Sequence, residues 1–200
     1  MPVLNRIADM APEMKEWRQH LHRHPELAFD CHETAAFVVG KLKEFGVDEI
    51  HEGIAKTGIV AIINGQGAGP TIGLRADMDA LPITEVNEVA YKSKNTGIMH
   101  ACGHDVHTTC LLGAAKILNE LKEEWEGTVK LIFQPGEEKN PGGASYMIKE
   151  GVLENPKPEK IFALHVHPGM EVGQLSFRAG MVMASADEIY ITIKAKGGHA

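Results

Sequence analysis

Cysteine is scarce in this chain: Cys31, Cys102 and Cys110 are the only three in 200 residues. Three scattered thiols cannot build a disulfide framework, and their odd number favours a reducing compartment. Positive charge is also in short supply, with 20 Lys and Arg against 27 Asp and Glu and a net charge of −7. That balance argues against nucleic acid, whose binding relies on basic side chains to neutralise phosphates. Long apolar runs are missing too. The strongest, such as residues 58–63, fall far short of the ~20 residues that a bilayer-crossing helix needs. The first 21 residues carry charges throughout and lack the apolar segment of a secretory leader. These absences leave a soluble, cytoplasmic protein without a membrane partner as the expectation. A hydrophobic content of 44% with 24% charged residues is that of a folded globular chain, long enough for one ordinary domain.

Periodicity then sets the expected elements. A helix is expected over residues 12–22, with Met14, Trp17 and Leu21 on one face, ended by Pro25. A second is expected over 33–45, with Gly46 as its C-cap. Residues 57–64 and 71–75 read as two strands around the glycine-rich turn 65–70, hence as a hairpin. Further on, 105–121 is apolar at helical spacing, 128–133 is a buried strand, 145–151 a short helix and 161–166 another buried strand. Residues 172–177 and 188–196 look like two more strands, the last alternating Ile189, Ile191 and Ile193 with Tyr190, Thr192 and Lys194. Strands interleaved with helices predict an α/β fold: a mixed, largely parallel sheet covered by helices on both faces. The chain reaches its last residue inside the glycine turn 197–200, which reads as an interrupted sequence.

The chemistry concentrates in three places. His100-Ala101-Cys102-Gly103-His104-Asp105 packs a thiol, two imidazoles and a carboxylate into six residues. Glycine between Cys102 and His104 suits a tight loop in which both side chains turn toward one ion. The bland alternative is a buried free thiol beside a surface histidine. Glu137 and Glu138 follow an apolar strand through Gln134-Pro135-Gly136. One carboxylate could hold a metal while the other moves protons, the two roles a metal-assisted hydrolase needs; a solvated turn is the competing reading. His165 lies in the apolar run 162–166, where a satisfied core histidine is the usual occupant, and His167 would share its side of a strand. Cys, His and Glu are the side chains that bind zinc-like metals. Asp77 and Asp79 fall just past a strand, where they could steady a metal-bound histidine or serve as turn and cap residues. His20, His22 and His24 do not share one helix face and read as structural or surface residues.

Taken together, the strings 21–27, 73–82, 100–107, 133–138, 164–168 and 197–200 closely resemble the amidohydrolase branch of the dinuclear-metal aminoacylase/carboxypeptidase family. That branch includes hippurate hydrolase, other N-acyl-amino-acid amidohydrolases and plant auxin-conjugate hydrolases. The resemblance implies a zinc-peptidase-like catalytic domain over residues 1–186 and the start of an inserted α+β lid domain over 187–200. It implies Cys102, His104, Glu138 and His165 as metal ligands and Glu137 as general base. Asp79 matches the aspartate that steadies a metal ligand, while Asp77 falls where relatives carry a ligand histidine. His199 matches a lid histidine that reaches an active site across a dimer and helps bind substrate or its oxyanion.

The implied cofactor is a pair of divalent ions (Zn, Mn, Co or Ni), the implied substrate an N-acyl-amino acid, and the implied assembly a homodimer. The family's later segment, which returns to the catalytic domain with a further ligand histidine, is not in this sequence. A catalytically silent metal-binding fragment is therefore the competing expectation, and a Cys102-nucleophile hydrolase a third.

Overall fold

The computed structural model describes residues 2–184 and 187–199, which fall into two units, Met1–Val166 and His167–Ala200. All regular structure among the described residues lies in the first unit: α1 (Pro2–Arg23), α2 (His32–Phe45), β1 (Glu49–Ile54), β2 (Gly58–Asn64), β3 (Gln66–Asp77), α3 (His104–Glu120), a single 3₁₀ turn (Lys122–Glu124), β4 (Glu126–Gln134), α4 (Gly143–Lys149) and β5 (Lys160–Ala163). No described helix is long and apolar enough to cross a membrane.

The strands form one mixed sheet in the order β1-β2-β4-β3-β5. β1–β2 and β2–β4 pair antiparallel, whereas β4–β3 and β3–β5 pair parallel. Side chains alternate faces along a strand, and here both faces are apolar. Ile59, Ala61 and Ile63 of β2, with Val129, Leu131 and Phe133 of β4, pack beneath α1, α2 and α3 through Trp17, Val38, Leu42, Leu112 and Ala115. Val60, Ile62 and Ile132 point the other way, onto Met147 of α4 and Val152. Two-sided burial is why these strands read as unbroken apolar runs. The expected mixed sheet with helices on both faces is the fold observed.

Several local expectations need correction. The hairpin does not form, because β4 lies between β2 and β3 and pairs with both. The glycine-rich segment spans that inserted strand instead of turning tightly. Gly65 donates its N–H to Gly127 O at 2.9 Å. A Cβ at Gly127, where φ is +92°, would meet Pro70 O at 2.3 Å. Only glycine lets these backbones approach so closely.

Helix α1 begins ten residues early, running from Pro2 through Pro12. Buried Met10 anchors the added turns in the main core, a packing gain that outweighs the hydrogen bond proline cannot make. The segments 172–177 and 188–196 form no strand. A strand exists only through hydrogen bonds to a neighbour, and the described residues of the second unit offer none; Ile189, Ile191 and Ile193 are all strongly exposed.

β5 is an exposed edge strand and not the buried one expected, and it stops at Ala163, so His165 lies two residues past a strand end. The register sets Asp77 beside Gln134, and Arg75 beside Ala163. The carboxyl ends of three parallel strands thus lie side by side, the place where open α/β sheets bind ligands.

Candidate metal centre

Every segment leaving that end of the sheet brings a polar side chain back over it. Asp77 closes β3 and Asp79 follows two residues later. Glu137 and Glu138 follow β4, and His165 follows β5. Cys102 and His104 arrive from the start of α3, whose N-cap is Gly103 in the left-handed conformation (φ +89°). A Cβ at Gly103 would meet Val166 Cγ2 at 2.4 Å, so the strand exit and the helix start close on each other only through glycine. Gly136 serves the acidic turn in the same way: φ is +64°, and a Cβ there would strike the Phe29 ring at 2.6 Å.

His104 is the hub. It is wholly buried, and its Nε2 lies 3.7 Å from Asp77 Oδ2, 3.9 Å from Glu137 Oε2 and 3.8 Å from Glu138 Oε1, while its Nδ1 lies 3.7 Å from Asp79 Oδ1. Cys102 Sγ sits 3.4 Å from His165 Nε2. Three overlapping donor triads share His104: with Cys102 and His165, with Glu137 and Glu138, and with Asp77 and His107. Within each, the donor atoms lie within 4.8 Å of one another. Asp79 does something the sequence did not foretell. Its two oxygens accept the backbone N–H groups of Glu137 at 2.9 Å and Glu138 at 3.1 Å, pinning the acidic turn over the site.

The electrostatics follow from crowding. Burial, the largest influence on His104, pulls its pKa down, but the carboxylates of Asp79, Asp77 and Glu137 reverse this and raise it. Burial pushes Glu137 up, helped by its neighbour Glu138. The Cys102 thiol is pushed up to about 12, by burial first and then by Glu138. Asp77 goes the other way. Burial opposes its charge, yet the hydrogen bond from His107 and the nearby Arg75 hold it at about 2.

The donor set fits a divalent cation. Four carboxylates surround one imidazole while Arg75 pairs with Asp77, and negative charge crowded into a partly buried site is costly unless further positive charge offsets it. Both His104 ring nitrogens and Glu138 Oε1 are buried without a hydrogen-bond partner, which buried polar atoms ordinarily avoid. Ligands held ~2.0–2.3 Å from a tetrahedral zinc lie roughly 3.3–3.7 Å from each other. The sulfur–imidazole distance of 3.4 Å matches that spacing. His165 Nδ1 donates to Val166 O at 2.7 Å, which leaves Nε2 with its lone pair toward Cys102.

Of the residues expected from sequence, Cys102, His104, Glu137, Glu138, His165, Asp77 and Asp79 come together here, while His199 belongs to the second unit and is exposed. The sequence does not single out His107, although it stands three residues after His104 on the same helix face. Its Nδ1 lies 2.6 Å from Asp77 Oδ1. A neighbouring network was missed as well. His22, read as structural or surface, is buried with Nδ1 2.7 Å from Asp105 Oδ2 and Nε2 3.1 Å from Glu85 Oε1. Nothing in the local sequence ties residue 22 to 105; only the packing of α1 against α3 does.

Comparison with known proteins identifies the family. A model of the peptidase family M20/M25/M40 matches residues 73–197. The chain is 42% identical to an N-acyl-L-amino acid amidohydrolase of Geobacillus stearothermophilus over 193 residues, covering 96% of this chain and 51% of the relative. It is 43% identical to a hippurate hydrolase of Campylobacter jejuni over 199 residues, covering 51% of that protein. The chain thus spans about half the length of the curated relatives it matches. Among solved structures, a Bacillus subtilis protein described as a dinuclear metal binding peptidase of the M20 family superposes with a TM-score of 0.78 at 41% identity, over 83% of this chain and 46% of that one. With a sheet, a histidine-centred donor cluster and sequence relatives that all agree, the chain belongs to the peptidase family M20/M25/M40.

Proposed function

We propose that the protein to which this chain belongs hydrolyses the amide bond of N-acyl-amino acids, with Cys102, His104, Glu138 and His165 as metal ligands and Glu137 as general base. The observation that carries the reading is buried His104, unpartnered at both nitrogens and ringed by Asp77, Asp79, Glu137 and Glu138. Relatives named for N-acyl-amino acid and hippurate hydrolysis support the substrate class.

Those four ligands would hold divalent ions, and the chemistry supplied there would be Lewis acidity toward a water and the substrate carbonyl. The chain's own residues do the rest. Glu137 accepts the proton of the water that attacks the carbonyl carbon. A carboxylate whose pKa is raised is a better match for that task near neutral pH than an ordinary one. As the tetrahedral adduct collapses, the C–N bond breaks and Glu137 passes the proton to the departing amine. The products are a carboxylic acid and a free amino acid. Asp79 holds both Glu137 and Glu138 by their backbones, so base and ligand keep a fixed separation. His199 is assigned to substrate or oxyanion binding by its match to the family's lid histidine.

A Cys102 nucleophile is disfavoured: the thiolate is the reactive species, and here the thiol is held near pKa 12 beside carboxylates. The test is Glu137→Gln in the full-length protein, assayed on N-acetyl- and N-benzoyl-amino acids with metal content measured in parallel. Turnover should fall by roughly 10²–10⁴-fold with metal retained. Full turnover would refute the general-base assignment, and bound metal with no turnover in the unaltered protein would favour a silent metal-binding role.

A further inference from the structure

His107 is buried within the centre, yet both of its ring nitrogens are already engaged. The backbone N–H of Val166 donates to Nε2 at 2.9 Å. An amide nitrogen cannot accept, so Nε2 is unprotonated and the ring proton sits on Nδ1. That proton is donated to Asp77 Oδ1 at 2.6 Å. The other oxygen of Asp77 accepts from Arg75 Nη1 at 2.7 Å, and Arg75 Nε donates to Gln134 Oε1 at 2.9 Å. A chain of hydrogen bonds therefore runs from the end of β4, through the end of β3, into α3 and out to the segment after β5.

Its far end matters most. β5 stops at Ala163, so no sheet hydrogen bond holds His165 or Val166. Val166 is held by its amide on His107 and by its side chain in the space left by the absent Cβ of Gly103. The His165 ring meets the His107 ring edge to face, with centroids 4.5 Å apart, and donates from Nδ1 to Val166 O. Whatever positions Val166 positions His165.

We propose that His107, oriented by Asp77, is a positioning residue that seats His165 beside Cys102 by gripping the Val166 backbone, and is not itself a metal ligand. The proposal rests on the reading of Cys102, His104, Glu138 and His165 as ligands. It also gives Asp77 a role: with one oxygen on His107 and the other on Arg75, it anchors the histidine that anchors the ligand. The Asp77–His104–His107 triad, close enough to hold an ion, is then not a competing site, since an ion there would take a ring nitrogen of His107 and break its hydrogen bond either to Asp77 or to Val166.

The first test needs no variant. Long-range ¹H–¹⁵N correlation on the metal-free 200-residue chain should show His107 with a protonated Nδ1 and an unprotonated Nε2. The opposite tautomer overturns the proposal. The second test titrates the chain with cobalt(II) and reads the thiolate-to-metal charge-transfer band. His107→Asn retains a donor toward Asp77 but no acceptor for Val166, and should weaken metal binding roughly 10–100-fold. His107→Gln, whose carbonyl reaches the Nε2 position, should recover most of that loss. In a His165→Ala background, His107→Asn should cost nothing more, because both changes remove the same ligand.

Additive losses, or equal losses for Asn and Gln, would mean general loosening and sink the proposal. Failure of the ligand reading looks different. If His104→Ala binds cobalt like the unaltered chain, or the unaltered chain binds none, the ligand assignment falls, while the tautomer measurement still decides what His107 holds.

Discussion

Asp79 is where this site is most open to a decisive test. Its carboxylate is 1% exposed and accepts two backbone N–H groups, from Glu137 and Glu138. In Asp79→Asn the volume stays the same, but one of those N–H groups must face an amide NH₂ instead of an oxygen, and the other loses a charged acceptor. Hydrogen bonds to charged groups contribute about 1.5–3 kcal/mol each, and a buried donor left unpaired costs about 1–3 kcal/mol. Since one neutral hydrogen bond survives, the net loss should be about 2–4 kcal/mol. A second effect opposes it. Asp79 sits among Asp77, Glu137 and Glu138, so neutralising it relieves repulsion when no cation is bound.

Urea denaturation followed by the fluorescence of Trp17 and Trp125 measures the balance. With a slope near ~2 kcal/mol per molar urea, the midpoint should fall by about 1–2 M in the presence of metal. Without metal the fall should be smaller, because the relieved repulsion offsets part of it. A midpoint unchanged with metal bound, or a larger fall without metal than with it, would refute the account of Asp79 as the clamp on the acidic turn.

Gly103→Ala forces a side chain into left-handed backbone and against Val166 Cγ2 at 2.4 Å; it should cost about 1–3 kcal/mol, with a thermal melt like that of the unaltered chain counting against tight closure of the helix start on the exit of β5. His22 has its pKa raised, mainly by the hydrogen bond to Asp105 and further by Glu85, against burial and the positive charge of Arg18, with His100 and Tyr91 packed alongside. Its stabilising charge is therefore fully present below the ordinary value of 6.5 and is lost as pH rises through the raised folded value. The stability gap between the unaltered chain and His22→Gln should shrink from acid to alkaline pH, and a gap that widens would contradict the sign. With its thiol held near 12, metal-free Cys102 should be alkylated much more slowly than a free cysteine at neutral pH and faster at each step upward; a free-thiol rate would show that the carboxylates do not shape its environment.

The parts of this architecture that sequence reveals are those with a local cause. Val129, Leu131 and Phe133 interleaved with Ile132 announce a two-faced strand, and Gly46 in left-handed backbone ends α2 where glycine should. The chemistry-bearing strings were legible for a similar reason. Cysteine, histidine and paired glutamates after apolar runs are uncommon, and a sheet collects its strand exits at one end. Strand order was not legible, because the insertion of β4 between β2 and β3 depends on pairings from Asn64 with Thr128 to Ile59 with Phe133, far apart in the chain. His107 and His22 were not legible either. A histidine's partner is set by which helix packs on which, and neither Asp77 with His107 nor Asp105 with His22 shares a segment.

The first turn of α3 shows why so much must be decided at once. Successive helix residues point ~100° apart, so the residues of one turn reach three different neighbours. His104 faces the carboxylates that follow β3 and β4. Asp105 faces His22 and Arg18 of α1 at 2.7 and 2.9 Å. His107 faces Asp77 and the exit of β5. Gly103 fixes the angle at which that turn begins, so rotation of the helix would move all three contacts together. α1 contributes no ligand, yet its grip on Asp105 sets how far His104 is turned toward the acidic cluster. The geometry of the donor cluster is thus a property of helix packing as much as of the motif that carries it, and a change on α1 can disturb the cluster without touching a single donor.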